Sequence, residues 1–349
     1  MARVLGIDAG TVSLDVCGLV DGRLWLDFSC PTADALADPD GFVAQLAGSG
    51  RLDLVVGPSG YGLPVRPARD ATEEDLRLAF LAGPEEPGGI GGLRRLARWL
   101  AGSQLPVVFT PGVLHLDTVP AHRKVNRADL GTADKVCAAA LAIEDRRLRT
   151  GRSIEDISLI LLELGGAFTA AVAVQGGRIV DGIGGSSGPI GWRAAGALDG
   201  EVAFLAGTVD KAMLFGGGAE PVAQESGRAT AIAAYVEGAA KAVSQLRISA
   251  PAADEVLVSG RCADDSDLLV QLEAALAGVV VVRRLDGFAL TAKQGAQGAA
   301  LLADGLAGGD HQALVDHLRI REARGTVLDH LHVISPAGAR RRLGLAPDA

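Results

Sequence analysis

Two short stretches combine a carboxylate, a glycine turn and flanking apolar runs: Asp8, Gly10, Thr11 and Ser13 near the N-terminus, and Glu163, Gly165 and Gly166 in mid-chain. A turn whose backbone N–H groups point into a cleft can cradle phosphate oxygens, and glycine lets the phosphate come close. Carboxylates repel phosphate, so the sensible task of Asp8 and Glu163 is to hold a magnesium ion, directly or through water, that bridges the phosphates. A third turn, Ser259-Gly260-Arg261, follows the apolar run Val256 to Val258.

The elements that must position these residues are β-hairpins. Ile157 to Leu162, Ala170 to Val174 and Arg178 to Val180 read as three strands, because aliphatic and β-branched runs alternate with glycine turns. Val4 to Leu24 repeats the pattern without a gap. Asp8 falls on Glu163, Gly10 on Gly165, Gly22 on Gly177 and Arg23 on Arg178, a constant offset of 155 positions (178 − 23). Two copies of one unit imply two similar domains facing each other. We place them at 1–150 and 151–349. Strands alternate with helices along both halves, which makes the fold class α/β.

Composition narrows the function. The chain has 349 residues and is 48% hydrophobic, enough for two cores. Its 47 glycines are roughly twice the ~7% average usage. A net charge of −9 argues against nucleic-acid binding. The one basic run, Arg340-Arg341-Arg342, reads as a solvated tail. Cys17, Cys30, Cys137 and Cys262 form no C-x-x-C pair and read as reduced thiols of a cytoplasmic protein. No signal peptide precedes the first strand, and the apolar run at Leu161 is too short and interrupted to span a membrane.

Between the hairpins lie two polar segments. Gly57 to Pro64, GPSGYGLP, is a rigid loop whose Gly60 and Tyr61, with the following Arg66, are candidates for substrate contact. His115 to Ile143 carries Asp117 and Arg123 just before an alanine-rich helix from Ala133 to Ala142. Glu144 to Arg152 is strongly charged and reads as a linker, and Gly83 to Gly92 as a mobile loop. Thr72 to Leu81 reads as a helix with a threonine cap and an acidic first turn. Ala229 to Leu246, Asp265 to Leu276 and the small-residue segment Ala292 to Leu306 also read as helices. From Asp310 onward no chemistry is legible. Gly216-Gly217-Gly218 lacks the lysine of a P-loop, and no G-x-G-x-x-G follows the first strand. His330-x-His332 has no third ligand and reads as structural or solvated.

The order of hairpin, helix, hairpin, V-L-V-S-G-R (Val256 to Arg261) and final helix resembles the acetate and sugar kinase, Hsp70 and actin superfamily. Within it the chain is similar to acetate and butyrate kinases, above all the predicted butyrate kinase group. I-D-A-G-T-V-S-L-D (Ile7 to Asp15) looks like their opening I-N-x-G-S-S-S-L-K. L-D-T (Leu116 to Thr118), L-G-T-A-D-K (Leu130 to Lys135), G-R-I-V-D-G (Gly177 to Gly182) and G-P-I-G-W-R-A-A-G (Gly188 to Gly196) follow in order.

The resemblance implies two ribonuclease-H-like domains, a duplicated actin-like ATPase fold, around an interdomain cleft for ATP and Mg2+. It implies transfer of the γ-phosphoryl group to a small carboxylate, with Asp8, Asp117, Glu163 and Arg193 catalytic. Gly10, Thr11, Ser13, Gly165, Gly166, Ser259, Gly260 and Arg261 would bind nucleotide, and Gly60, Tyr61, Arg66 and Arg123 the acceptor. It also implies a homodimer. Four positions depart from the pattern. Glu163 stands where these kinases have a histidine, Asp8 replaces asparagine, Arg261 replaces the second glycine of the adenosine turn, and Lys293-Gln294 lies where they have an acidic residue. The departure at Glu163 keeps an alternative open, an ATPase or nucleotide-dependent activator on the same fold.

Overall fold

The computed structural model describes residues 2–83, 86 and 92–346, so most of the loop read at Gly83 to Gly92 lies outside the described residues. In chain order the first elements are β1 (Arg3–Ala9), β2 (Ser13–Val20), β3 (Arg23–Pro31), α1 (Thr32–Ala37), α2 (Pro39–Gly48) and β4 (Leu54–Val56). Next come β5 (Arg66–Pro67), α3 (Glu73–Phe80), α4 (Leu93–Gly102), β6 (Val107–Phe109), α5 (Ala121–Lys124) and α6 (Ala133–Thr150). The second hairpin is β7 (Leu159–Leu164), β8 (Thr169–Gln175) and β9 (Arg178–Ile183), followed by α7 (Gly200–Ala206), α8 (Ala219–Ser226) and α9 (Arg228–Ser249). The chain ends with β10 (Glu255–Ser259), α10 (Ser266–Ala275), β11 (Val281–Arg284), α11 (Gln294–Leu306), α12 (Gln312–Leu318) and α13 (Pro336–Arg342).

Two compact units result. One comprises Met1–Ala128, Thr132–Asp145 and Gly287–Ala349, and the other Asp129–Gly131 and Arg146–Asp286. The first has a six-stranded sheet, β3-β2-β1-β4-β6-β5, and the second a five-stranded sheet, β11-β10-β7-β8-β9. In each, an antiparallel three-stranded meander is extended by parallel strands: β1 pairs with β4, and β7 with β10. This is the ribonuclease-H-like sheet, present twice.

The repeat holds to the level of single hydrogen bonds. Asp8 faces Asp15 across the first hairpin, and Glu163 faces Ala170 across the second, each pair shifted by 155 positions (163 − 8, 170 − 15). The bulge between Gly18 and Leu19 recurs between Ala173 and Val174. Gly22 and Gly177 turn with φ of 69° and 68°, the left-handed region glycine enters without steric cost.

The charged segment Glu144 to Arg152, read as a linker, spans the boundary between the two units at Asp145 and Arg146, and most of it is helical. Residues as far as Thr150 continue α6, because Arg146 and Arg149 find partners in Asp254 and Glu255 at 2.5 and 2.6 Å. Residues 287–349 do not stay with the second unit, as the boundary at 150 would have them, but return to the first. The reason is α11. Its backbone lies so close to β1 that a Cβ on Gly6 would sit 2.2 Å from the Ala300 nitrogen, and one on Gly298 would sit 1.8 Å from the Cys137 carbonyl oxygen of α6. Beyond α11, Leu314, Val315 and Leu318 of α12 are buried, and Val327, Leu328 and Ala339 form an apolar cluster with Leu78 of α3. α3 begins as read, with a Thr72–Asp75 capping box.

Gly6→Ala is expected to destabilise the first unit by about 3 kcal/mol, because the new methyl meets backbone rather than a side chain that can turn away. Urea denaturation of the variant measures it. An unshifted midpoint would show that α11 does not need this close approach.

Candidate functional site

In the first unit, β1 delivers Asp8 to the strand end and Gly10 closes the turn. The Gly10 N–H donates to the Ser13 carbonyl at 2.9 Å. Thr32 braces the turn from outside, its hydroxyl donating to the Gly10 carbonyl at 2.6 Å and its N–H to the Val12 carbonyl at 3.1 Å. Thr11 is exposed at the tip. The Asp8 carboxylate rests on the first turn of α11, where a Cβ on Gly295 would lie 2.5 Å from Oδ2. A carboxylate is favourable there because the helix N-terminus carries partial positive charge.

Two residues the sequence reading passed over complete this turn. Asp15 is only 1% exposed, and its Oδ2 accepts from the Ser13 hydroxyl at 2.9 Å and lies 3.3 Å from the Lys293 ammonium. Lys293 also hydrogen-bonds the Ser13 hydroxyl. Ser13, read as a nucleotide contact, is thus the link between a buried carboxylate and a lysine 280 positions away. Distance in sequence hid this pair; the only signal was Lys293 standing where the resembling kinases have an acidic residue.

The second unit assembles more of the expected set. Gly165 N–H donates to the Phe168 carbonyl at 2.9 Å, the counterpart of the Gly10 bond. Ser259 lies beside Glu163 in the parallel register of β10 and β7. Gly260 turns with φ of 89°, and a Cβ there would be 3.0 Å from Glu163 Cγ and 2.5 Å from the Leu164 carbonyl oxygen. Arg193 Nε donates to the Gly166 carbonyl at 3.0 Å, and the Arg193 N–H donates to the Ala167 carbonyl at 3.1 Å. The Arg261 chain passes 3.7 Å from where a Gly166 Cβ would be, and nothing else comes within 4 Å of that point. Glu163, Gly165, Gly166, Arg193, Ser259, Gly260 and Arg261 therefore share one corner of the second sheet. The Ser259 hydroxyl is buried without a protein partner.

The acceptor candidates sit in other settings within the first unit. Gly60 (φ 56°) accepts the Ala133 N–H at 3.0 Å, which ties the GPSGYGLP loop to the start of α6. Tyr61 packs against the Leu78–Val327–Leu328–Ala339 cluster. Arg66 pairs with Asp75 of the capping box at 2.7 Å. Arg123 is half-buried on α5. Asp117 is gripped by a two-pronged Arg319, with contacts of 3.0, 3.0 and 2.6 Å. Those hydrogen bonds hold its carboxyl below the usual range despite partial desolvation. Nearby, burial lowers the Lys124 ammonium, which donates to the Leu116 carbonyl at 2.8 Å, and lowers His115 to about 4. The Lys124 charge adds to the His115 shift, so this imidazole is neutral at pH 7. Asn126 (φ 54°) caps the His330–His332 segment by accepting the His332 and Val333 N–H groups, so these histidines mark a backbone turn.

Among the described residues no group of three or more His, Cys, Asp or Glu side chains is arranged to hold a metal ion. Magnesium is held through one or two carboxylates and the substrate's phosphates, and one carboxylate stands beside the glycine turn of each unit, Asp8 and Glu163. Among the described residues, no helix is long and apolar enough to cross a membrane.

Two ribonuclease-H-like sheets with these turns make a duplicated actin-like ATPase fold, and solved structures share it. An acetate kinase from Entamoeba histolytica matches with TM-score 0.56 and 12% identity, over 79% of this chain and 86% of that one. A propionate kinase from Francisella tularensis subsp. tularensis matches with TM-score 0.58 and 13% identity, over 85% and 99%. The Porphyromonas gingivalis acetate kinase matches with TM-score 0.53 and 14% identity, over 80% and 87%. At such identities the likeness is one of fold. No curated protein matches the sequence. The chain belongs to the family described as "Protein of unknown function (DUF1464)", whose model matches residues 6–333.

The buried His115 gives a pH test. Its folded pKa of about 4 lies below the unfolded 6.5, so as pH falls the unfolded chain takes up the proton first. The stability this group contributes is full above pH ~6.5 and lost by about pH 4, an effect of about 3 kcal/mol. Urea denaturation across this window should show a shallower loss for His115→Gln than for the wild type. Equal slopes would mean that His115 takes up its proton as readily in the folded protein as in the unfolded chain.

Proposed function

We propose that the protein is an ATP-dependent phosphotransferase of the acetate and butyrate kinase type, moving the γ-phosphoryl group of Mg-ATP to a small carboxylate. The observation that carries this reading is the Gly165–Gly166 turn. Backbone free of side chain is flanked there by Arg193 and Arg261, and the same turn is repeated at Gly10 in the first unit.

A carboxylate oxygen forms the new bond to the γ-phosphorus while the bond from that phosphorus to the β,γ-bridging oxygen breaks. The bond pair leaves with ADP. No proton is transferred, because a carboxylate is ionised at neutral pH, so no general base is needed. Catalysis then reduces to positioning and to positive charge at the equatorial oxygens. Arg193 is the residue for that task, with its guanidinium fixed at the turn by its bond to Gly166. Ser259 and Gly260 would meet the nucleoside. Asp117, Arg123, Gly60 and Tyr61 would frame the acceptor, with Arg66 beside them. Asp8 at the first turn and Glu163 at the second are the carboxylates that would hold magnesium, whose charge would neutralise that of the phosphates.

One observation favours a second reading. Glu163 puts negative charge where a phosphoryl-stabilising group is expected, which suits an ATPase or nucleotide-dependent activator with water or no acceptor.

ADP release from Mg-ATP over a panel of short-chain carboxylates and sugars separates these readings, with hydroxylamine trapping any acyl phosphate as hydroxamate. Carboxylate-dependent ADP with hydroxamate is the expected result. ADP formed equally without acceptor supports the second reading, and sugar-dependent ADP moves the acceptor to an alcohol. Gly166→Ala should keep the fold, since the nearest atom to its Cβ is 3.7 Å away. It should nevertheless lower kcat/KM for ATP by about tenfold or more by closing the backbone to phosphate. Full activity in that variant would remove the turn from the mechanism.

A further inference from the structure

The backbone before Lys293 is fixed from two sides. Asp27 of β3 accepts the N–H groups of Leu290, Thr291 and Ala292 at 2.8, 2.9 and 2.6 Å. Although desolvation works to raise it, these donors hold the Asp27 carboxyl below its ordinary range, so the clamp is ionised at neutral pH. Gln297 of α11 accepts the Phe288 N–H at 2.7 Å and donates to the Ala292 carbonyl at 2.7 Å.

From this anchor the lysine reaches across β2. Its ammonium bonds the Ser13 hydroxyl and lies 3.3 Å from Asp15 Oδ2. A lysine serving only to neutralise Asp15 would be buried with it. The two differ sharply: the Asp15 side chain is 1% exposed and that of Lys293 39%. The ammonium stands over the turn, 3.8 Å from where a Gly10 Cβ would be. Of its three N–H donors, Ser13 and Asp15 take two.

We propose that Lys293 is a phosphate-binding residue of the first hairpin, its remaining N–H and its charge engaging a phosphate oxygen of the nucleotide held at Gly10 to Ser13. Ser13 and Asp15 are positioning residues that aim it. The inference rests on the nucleotide reading above and assigns this unit its own fixed cation. A charge-assisted hydrogen bond of this kind is worth about tenfold or more in affinity.

The test is titration calorimetry of the full chain with ADP and with adenosine, which carries no phosphate. Lys293→Met should weaken ADP binding by about tenfold or more and leave adenosine binding unchanged. The double variant Lys293→Met/Asp15→Asn removes the buried charge along with its partner. It should fold with a near-wild-type denaturation midpoint and bind ADP as poorly as the single variant. ADP affinity restored in the double variant would show that Lys293 only compensates Asp15, and would overturn the inference while leaving the nucleotide reading intact. Equal losses for ADP and adenosine would overturn it too, by showing a general disturbance of the site. A wild-type protein that binds neither ATP nor ADP overturns the nucleotide reading and this inference with it.

Discussion

Helix α11 lies against β1 with no side chain between them at Gly6, and the arrangement of the first unit depends on that contact. A glycine in the middle of a strand forfeits side-chain packing and costs conformational entropy. Here it admits a helix backbone into the space a side chain would fill, and Gly298 does the same on the side of α6. The approach draws residues 287–349 back to the start of the chain. It also sets the first turn of α11 against Asp8, because a side chain on Gly295 would occupy the space of the carboxylate.

The second unit answers the same problem with different residues. Its hairpin has the register, the bulge and the turn bond of the first. Ala170, however, stands where the first has Asp15, so this turn holds no buried carboxylate that requires a cation. Positive charge comes instead from Arg193, fixed by the Gly166 and Ala167 carbonyls, and from Arg261, which follows the left-handed Gly260. Duplication preserved the backbone device and left each unit to recruit its own charges. Arginine suits the second turn because its planar fork stays a donor at any physiological pH.

Much of this was legible in the sequence, and the limits have physical causes. The hairpins could be read because strand periodicity and turn glycines are local signals, and a gapless repeat doubles the evidence for each. Ser259, Gly260 and Arg261 could be joined to Glu163 because parallel strands in an α/β fold end on one side of the sheet. Lys293 was visible only as a departure from a family pattern, since its partners Ser13 and Asp15 lie at the other end of the chain. Glu144 to Arg152 was read as a linker and does span the boundary between the units, but its helical form and its ion pairs were not legible, because their partners lie about a hundred positions away. Arg146 is 4% exposed and Glu255 5%, so the charges answer one another out of water. The segment after Asp310 carried no readable chemistry because it packs on the first unit and its ion pairs, such as Arg319 with Asp117 and Arg340 with Glu74, join positions that no local pattern links.

Under the proposed nucleotide reading, Glu163 sets the direction from which phosphate would approach the second turn. Its stem is wedged against Gly260, and its Oε1 lies 3.5 Å from where a Gly165 Cβ would be. An anion arriving over Gly165 meets this carboxylate. One arriving over Gly166 meets two arginine chains and open backbone. The two glycines of one turn are thus inequivalent: Gly165 faces the acid that suits a cation, and Gly166 the bases that suit an anion. A metal–phosphate complex presents both charges a few ångströms apart, and this turn offers a complement to each. In that setting a carboxylate in place of histidine does not abolish a phosphate site. It makes the site depend on the cation that travels with the phosphate, so magnesium would be required for binding at this turn as well as for the chemistry.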